Sequence, residues 1–120
     1  MNRAELIEYI QNKYTCTAEY LWNKYPNYVV FRHQSNSKWF AIIMDVPSSK
    51  LSNDSNDNKE ILDIVDVKVA PENIGSLRLQ EGFYPAYHMN KEHWVSVLLS
   101  KKVSKNEIKL LIDDSYHLTK

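Results

Sequence analysis

Apolar and polar positions alternate along this chain with two different periods, and the switches between them outline the fold. Leu6, Ile7, Ile10 and Tyr14 recur at helical spacing, and Asn2 followed three residues later by Glu5 has the form of a capping box, so a first helix is predicted. Residues 15–24 lose that period and read as a short strand or extended stretch, closed by a turn in which Pro26 biases Tyr25 away from helix. Residues 28–33 are β-branched and aromatic. After the polar turn 34–37, residues 38–46 form a run apolar on both faces, which predicts a β-hairpin whose second strand is covered on both sides. Residues 47–59, rich in Ser, Asn and Asp, hold too little apolar surface to pack and are expected to form a mobile loop. In residues 60–70, Ile61, Val65, Val67 and Val69 share one strand face, while Leu62, Ile64, Asp66 and Lys68 share the other.

The remainder completes an α+β pattern. Pro71 at a first helical position, Ile74, Leu77 and a closing Gly82 mark a second helix. Residues 83–88 and 94–100 are strand-like around a turn at 89–93. Ser104 and Glu107 form the ends of a capping box that opens a last helix, with Ile108, Leu111 and Ile112 facing inward. One domain over residues 1–120 is expected, with helices packed on one face of an antiparallel sheet.

Composition narrows the function more than it names one. Fifteen Lys and Arg balance fifteen Asp and Glu, so the strong basic excess of a phosphate-driven nucleic-acid binder is missing. Local asymmetry remains: Arg32 and Lys38 are the only charges in residues 29–44, and Lys91, Lys101, Lys102 and Lys105 face only Glu92 in residues 88–105. With Gly75 and Gly82 as the only glycines, a P-loop, a dinucleotide fingerprint and a nucleophile elbow are all excluded. The lone Cys16 cannot form an internal disulfide, no apolar run approaches the roughly 20 residues of a membrane span, and the first residues carry no signal-peptide core, so a cytoplasmic location is expected.

Candidate chemistry concentrates in residues 84–94, which hold Tyr84, Tyr87, His88, His93 and Trp94 around the polar turn Asn90-Lys91-Glu92. His88 and His93 stand five apart, which fits neither a zinc helix nor a closed zinc site even with Asp66 or Glu92 added, so no metal is expected. Cys16 reads as a small buried hydrophobe, and Asp63 and Asp66 fall on opposite strand faces and cannot share a proton. No cofactor motif appears. What remains is an aromatic and histidine cluster of Trp39, Tyr87, His88, Asn90 and Trp94. It reads either as core anchors with satisfied histidines or as a shallow pocket in which aromatic faces stack on a ligand.

The stretch 84–94, with Phe31-Arg32-His33, Lys38-Trp39-Phe40-Ala41 and Ser115-Tyr116, resembles the MmcQ/YjbR family of small bacterial proteins over nearly the whole chain. The resemblance implies a frataxin-like α+β fold and a non-enzymatic, weak double-stranded DNA-binding role, with two hairpins as wings, here residues 31–40 and 46–61. On that reading Arg32, His33, Lys38, Lys68, Lys91, His93, Lys101 and Lys102 would contact nucleic acid. The Asp- and Asn-rich loop departs from a wing, because it would bring negative charge to phosphate. The alternative is a module that binds a small molecule or a protein through the pocket around residues 87–94. A third reading, an enzyme with His88 or His93 as base, lacks any nucleophile or cofactor motif.

Overall fold

A computed structural model of the chain describes residues 1–51 and 60–120. Most of the loop 47–59, and with it the tip of the second expected wing, lies outside the described residues. Helix α1 (Arg3–Tyr14) opens with the full capping box: the Glu5 N–H donates to Asn2 Oδ1 at 2.8 Å, and the Asn2 N–H donates back to Glu5 Oε1 at 3.1 Å. Leu6 and Ile10 are its buried residues. It ends on Thr15, whose φ of 49° lies in the left-handed region that suits glycine and strains a β-branched residue. Thr15→Gly is therefore expected to raise stability by about 1 kcal/mol in urea unfolding. No gain would show that the Thr15 side chain offsets its backbone strain.

Five strands follow: β1 (Val29–Arg32), β2 (Trp39–Pro47), β3 (Ile61–Lys68), β4 (Phe83–Pro85) and β5 (Trp94–Leu98). They form one antiparallel sheet in the order β1-β2-β3-β5-β4. Its register makes the two faces explicit. Val29, Ile43, Val65, Val97 and Phe83 line up across all five strands, buried under Leu6 and Ile10 of α1 and under Ile108 and Ile112 of helix α3 (Lys105–Leu118). One step along, Val30, Ile42, Asp66, Ser96 and Tyr84 form the next row, whose apolar members face the other way.

The long helices α1 and α3 share the first face, as the sequence predicts. The second face has its own core, covered by irregular chain that includes Tyr28, Leu51 and Ala86. The expected helix at residues 71–82 is shorter: Pro71–Asn73 form a 3₁₀ turn and only Ile74–Arg78 are α-helical (α2), consistent with the low helix propensity of Gly75 and Ser76. Gly82 closes the connection at φ 89°, where any Cβ would lie 2.6 Å from Val103 Cγ2.

The strand expected to reach residue 88 stops at Pro85. Beyond it the Tyr87 N–H donates to Ser96 Oγ at 2.9 Å instead of to a strand, and His88 turns the chain at φ 64°. This departure carries Ala86 to Met89 across the second face.

The first helix and the last are tied to each other and to the sheet by polar contacts. Asp113 of α3 accepts from the Tyr9 and Tyr14 hydroxyls and pairs with Lys13 at 2.6 Å. Ser115 Oγ donates to the Phe40 carbonyl at 2.6 Å and accepts from the Lys68 N–H at 2.9 Å, so one buried hydroxyl clamps α3 to β2 and β3.

A candidate ligand-binding pocket on the second face

The second face owes its pocket to one irregularity in β2. Phe31 pairs with Ala41 but Arg32 pairs with Trp39, leaving Phe40 as an extra residue at a bulge. Phe40 and Ala41 therefore both join the helix-side core, and Trp39 shares the opposite face with Ile42 and Met44. A strictly alternating strand would have placed Trp39 among the helices.

Residues 15–28 supply the facing wall. They hold one bridge to the sheet, Glu19 with Val30, through hydrogen bonds of 3.0 and 2.9 Å. Beyond it the Tyr25 N–H donates to the Trp22 carbonyl and the Tyr28 N–H to the Tyr25 carbonyl, winding the segment so that Trp22, Tyr25 and Tyr28 line one cavity with Trp39. Trp22 meets Trp39 edge-on at 5.8 Å and 86°, and Tyr28 at 5.7 Å and 75°, while Tyr25 stacks on Tyr28 at 4.7 Å. Such edge-to-face contacts leave ring faces free to line a cavity. With Ile42, Met44, His88 and Met89 these rings enclose about 280 Å³. Burial pushes the Tyr28 hydroxyl up to about 12, reinforced by the Tyr87, Tyr25 and Asp45 groups around it, so it stays a neutral phenol.

Of the pocket residues expected from sequence, Trp39 and His88 line this cavity. Trp94 is buried in the second core and Tyr87 faces a separate cleft with Lys91. Asn90 shapes the turn: its side chain accepts from the Glu92 N–H and its carbonyl from the N–H groups of His93 and Trp94. Trp22, Tyr25, Tyr28, Ile42, Met44 and Met89 were not anticipated. The aromatic density of residues 20–28 in a stretch without periodicity was the available signal.

The expected nucleic-acid residues do not gather. Arg32 forms a two-toothed ion pair with Glu19, at 2.6 and 2.7 Å. His33 is buried, packed on Phe40 and Tyr116, and shares a 2.7 Å hydrogen bond with Thr119; burial lowers its pKa and favours the neutral ring. Lys38 is exposed in the β1–β2 turn and Lys68 ends β3. His93 accepts from the Val69 N–H through its carbonyl. Lys101 and Lys102 lie in the turn after β5, where Lys102 pairs with Glu81 at 3.3 Å. Lys102 sits beside Gly82 at the β4 edge, whereas Arg32 belongs to the β1 edge, and four strand spacings separate those edges by roughly 19 Å. Among the described residues no three of His, Cys, Asp and Glu are grouped to hold a metal ion. Cys16 turns its thiol to the Ile10 carbonyl, and burial pushes its pKa up, the reverse of an activated thiolate.

Asp66 is the unusual group. It is fully buried in the row between Ile42 and Ser96, accepts from Ser96 Oγ through Oδ1, and has no partner at Oδ2. Burial, opposed by the Ser96 bond and the Lys91 charge, still pushes its pKa up to about 8.

A five-stranded antiparallel sheet with helices on one face and an aromatic pocket on the other defines a small α+β protein of the kind that the sequence resembles. The chain belongs to the YjbR family, whose family model matches residues 11–118. It is 41% identical over its whole length to the uncharacterized protein YyaQ of Bacillus subtilis, of which it covers 99%. The crystal structure of a Pseudomonas syringae protein superposes with a TM-score of 0.94 at 48% identity, each chain covered completely. The Deinococcus radiodurans protein DR2400, with a DUF419 domain, shares the fold at a TM-score of 0.72 and 23% identity, over 98% of this chain and 78% of that one. Among the described residues no helix is long and apolar enough to cross a membrane.

Proposed function

We propose that this chain is a non-enzymatic binding module that takes a small, largely apolar ligand in the pocket walled by Trp22, Tyr25, Tyr28 and Trp39. The aromatic pocket carries this reading: its rings are positioned by a bulge and a wound segment, and among the described residues no Asp, Glu, Lys or Arg lines it. Weak double-stranded DNA binding, the expectation from the family resemblance, draws less support. Arg32 and His33 are engaged within the fold, Lys102 is paired, and the basic residues occupy both sheet edges.

The test is a thermal-shift screen of a metabolite panel, followed by titration of any stabilising compound. A ligand at a hundred times its dissociation constant adds about 2.7 kcal/mol of stability. Tyr25→Ala removes an exposed pocket wall and Trp39→Ala a half-buried one. Each is expected to weaken such a ligand by about tenfold or more while the chain stays folded by circular dichroism. Saturable duplex binding that weakens steeply between about 20 and 150 mM salt, unchanged in Tyr25→Ala, would restore the nucleic-acid reading.

A further inference from the structure

A larger cleft lies along the β4 edge of the sheet. This cleft, about 830 Å³, runs between α2 and the segment from Phe83 to Lys91, within the size range of small-molecule sites. Lys50, Arg78 and Lys91 all line it, and among the described residues no Asp or Glu does. None of the three cations forms an ion pair among the described residues. Between the cations the lining is apolar or aromatic, with Leu51, Tyr84, Pro85 and Tyr87, and Leu79 stands at the cleft 88% exposed. An exposed Leu beside cations without an ion pair among the described residues is an arrangement that an amphipathic anion would complete.

We infer that this cleft is a second binding site, for a small organic anion whose carboxylate or phosphate meets Arg78 and Lys91 while its apolar body lies against Leu79 and the Tyr84 and Tyr87 rings. The site does not depend on the aromatic pocket, which shares none of its lining residues.

Gly75 gives the test a clean handle. A Cβ added there meets nothing within 4 Å, so Gly75→Phe has room to add a ring at the wall of the cleft and obstruct it. The probes are benzoate, phenyl phosphate and the neutral benzyl alcohol, titrated to about 10 mM against backbone amide spectra of the full chain. The expected result is saturable shifts centred on Gly75, Arg78, Leu79 and Lys91, with either anion bound at least about tenfold more tightly than the alcohol. Preference between the two anions then separates a carboxylate ligand from a phosphate ligand.

Gly75→Phe is expected to abolish these shifts without lowering the melting temperature. Arg78→Gln with Lys91→Gln is expected to weaken both anions by about tenfold or more, and Tyr25→Ala to leave them unchanged. Equal affinity for benzyl alcohol, shifts centred elsewhere, binding that survives Gly75→Phe, or no saturable shift would each overturn the site. Loss of pocket binding in Tyr25→Ala with the cleft intact separates the fate of this inference from that of the pocket.

Discussion

Replacing Asp66 by Asn is expected to flatten a fall in stability that the wild-type chain shows between about pH 4 and pH 8. The Asp66 carboxyl ionises near 3.8 in the unfolded chain and at about 8 in the fold. Between those values the folded state holds a proton that the unfolded state has released, so raising the pH favours unfolding. The slope is about 1.4 kcal/mol per pH unit, or roughly 4 kcal/mol from pH 5 to pH 8. Below about pH 4 both states are protonated and the contribution is full; above about pH 8 both are ionised and it is lost.

His33 works in the opposite sense: burial lowers its pKa, so stability rises with pH until the unfolded imidazole near 6.5 has lost its proton. Urea unfolding of wild type and Asp66→Asn from pH 5 to pH 8.5 separates the two, because the difference between the curves belongs to Asp66 alone. Parallel curves would mean that Asp66 ionises in the fold as it does in the open chain, with water reaching Oδ2.

Ser115→Ala is the second large effect. The hydroxyl serves two backbone groups at once, the Phe40 carbonyl and the Lys68 N–H, and Ser115 itself is fully buried. Truncation leaves both without their partner, at about 1–3 kcal/mol each, so a loss of about 3 kcal/mol in urea unfolding is expected. Ser104→Ala is the internal standard. It removes only the cap bond from the Glu107 N–H to Ser104 Oγ, at 3.1 Å, and should cost about 1 kcal/mol. A Ser115→Ala loss no greater than that of Ser104→Ala would show that the clamp between α3 and the sheet is not made by this hydroxyl.

Local signals carried most of the architecture. The capping box at Asn2 and Glu5 satisfies helix-end groups within four residues, and it appears in the structure as read. The alternation of Val65 and Val67 with Ile64 and Asp66 assigned both faces of β3, because a strand sends successive side chains to opposite sides. The motif residues Phe31, His33, Phe40 and Tyr116 proved informative about packing: their rings meet between β1, β2 and α3.

The pocket was legible only in part, because it depends on events without a local signature. One extra residue at Phe40 re-aims Trp39. A serine on β5 diverts Tyr87 out of the expected strand. A glutamate thirteen positions earlier occupies Arg32. Each is decided by a partner distant in sequence, and neither propensity nor period reports that partner.

The ends of the sheet carry a consequence for how the protein behaves in a crowded solution. β1 has four residues, and the Glu19 bridge takes both hydrogen-bonding groups of Val30 on its outer side. β4 has three residues and closes on Pro85, which has no N–H to offer. Little unpaired strand backbone is left at either margin to template a neighbouring chain, so the sheet resists edge-to-edge growth into larger aggregates. Opening the Glu19 bridge would expose the apolar Val29-Val30-Phe31 strand and turn a well-behaved solute into a seed for self-association.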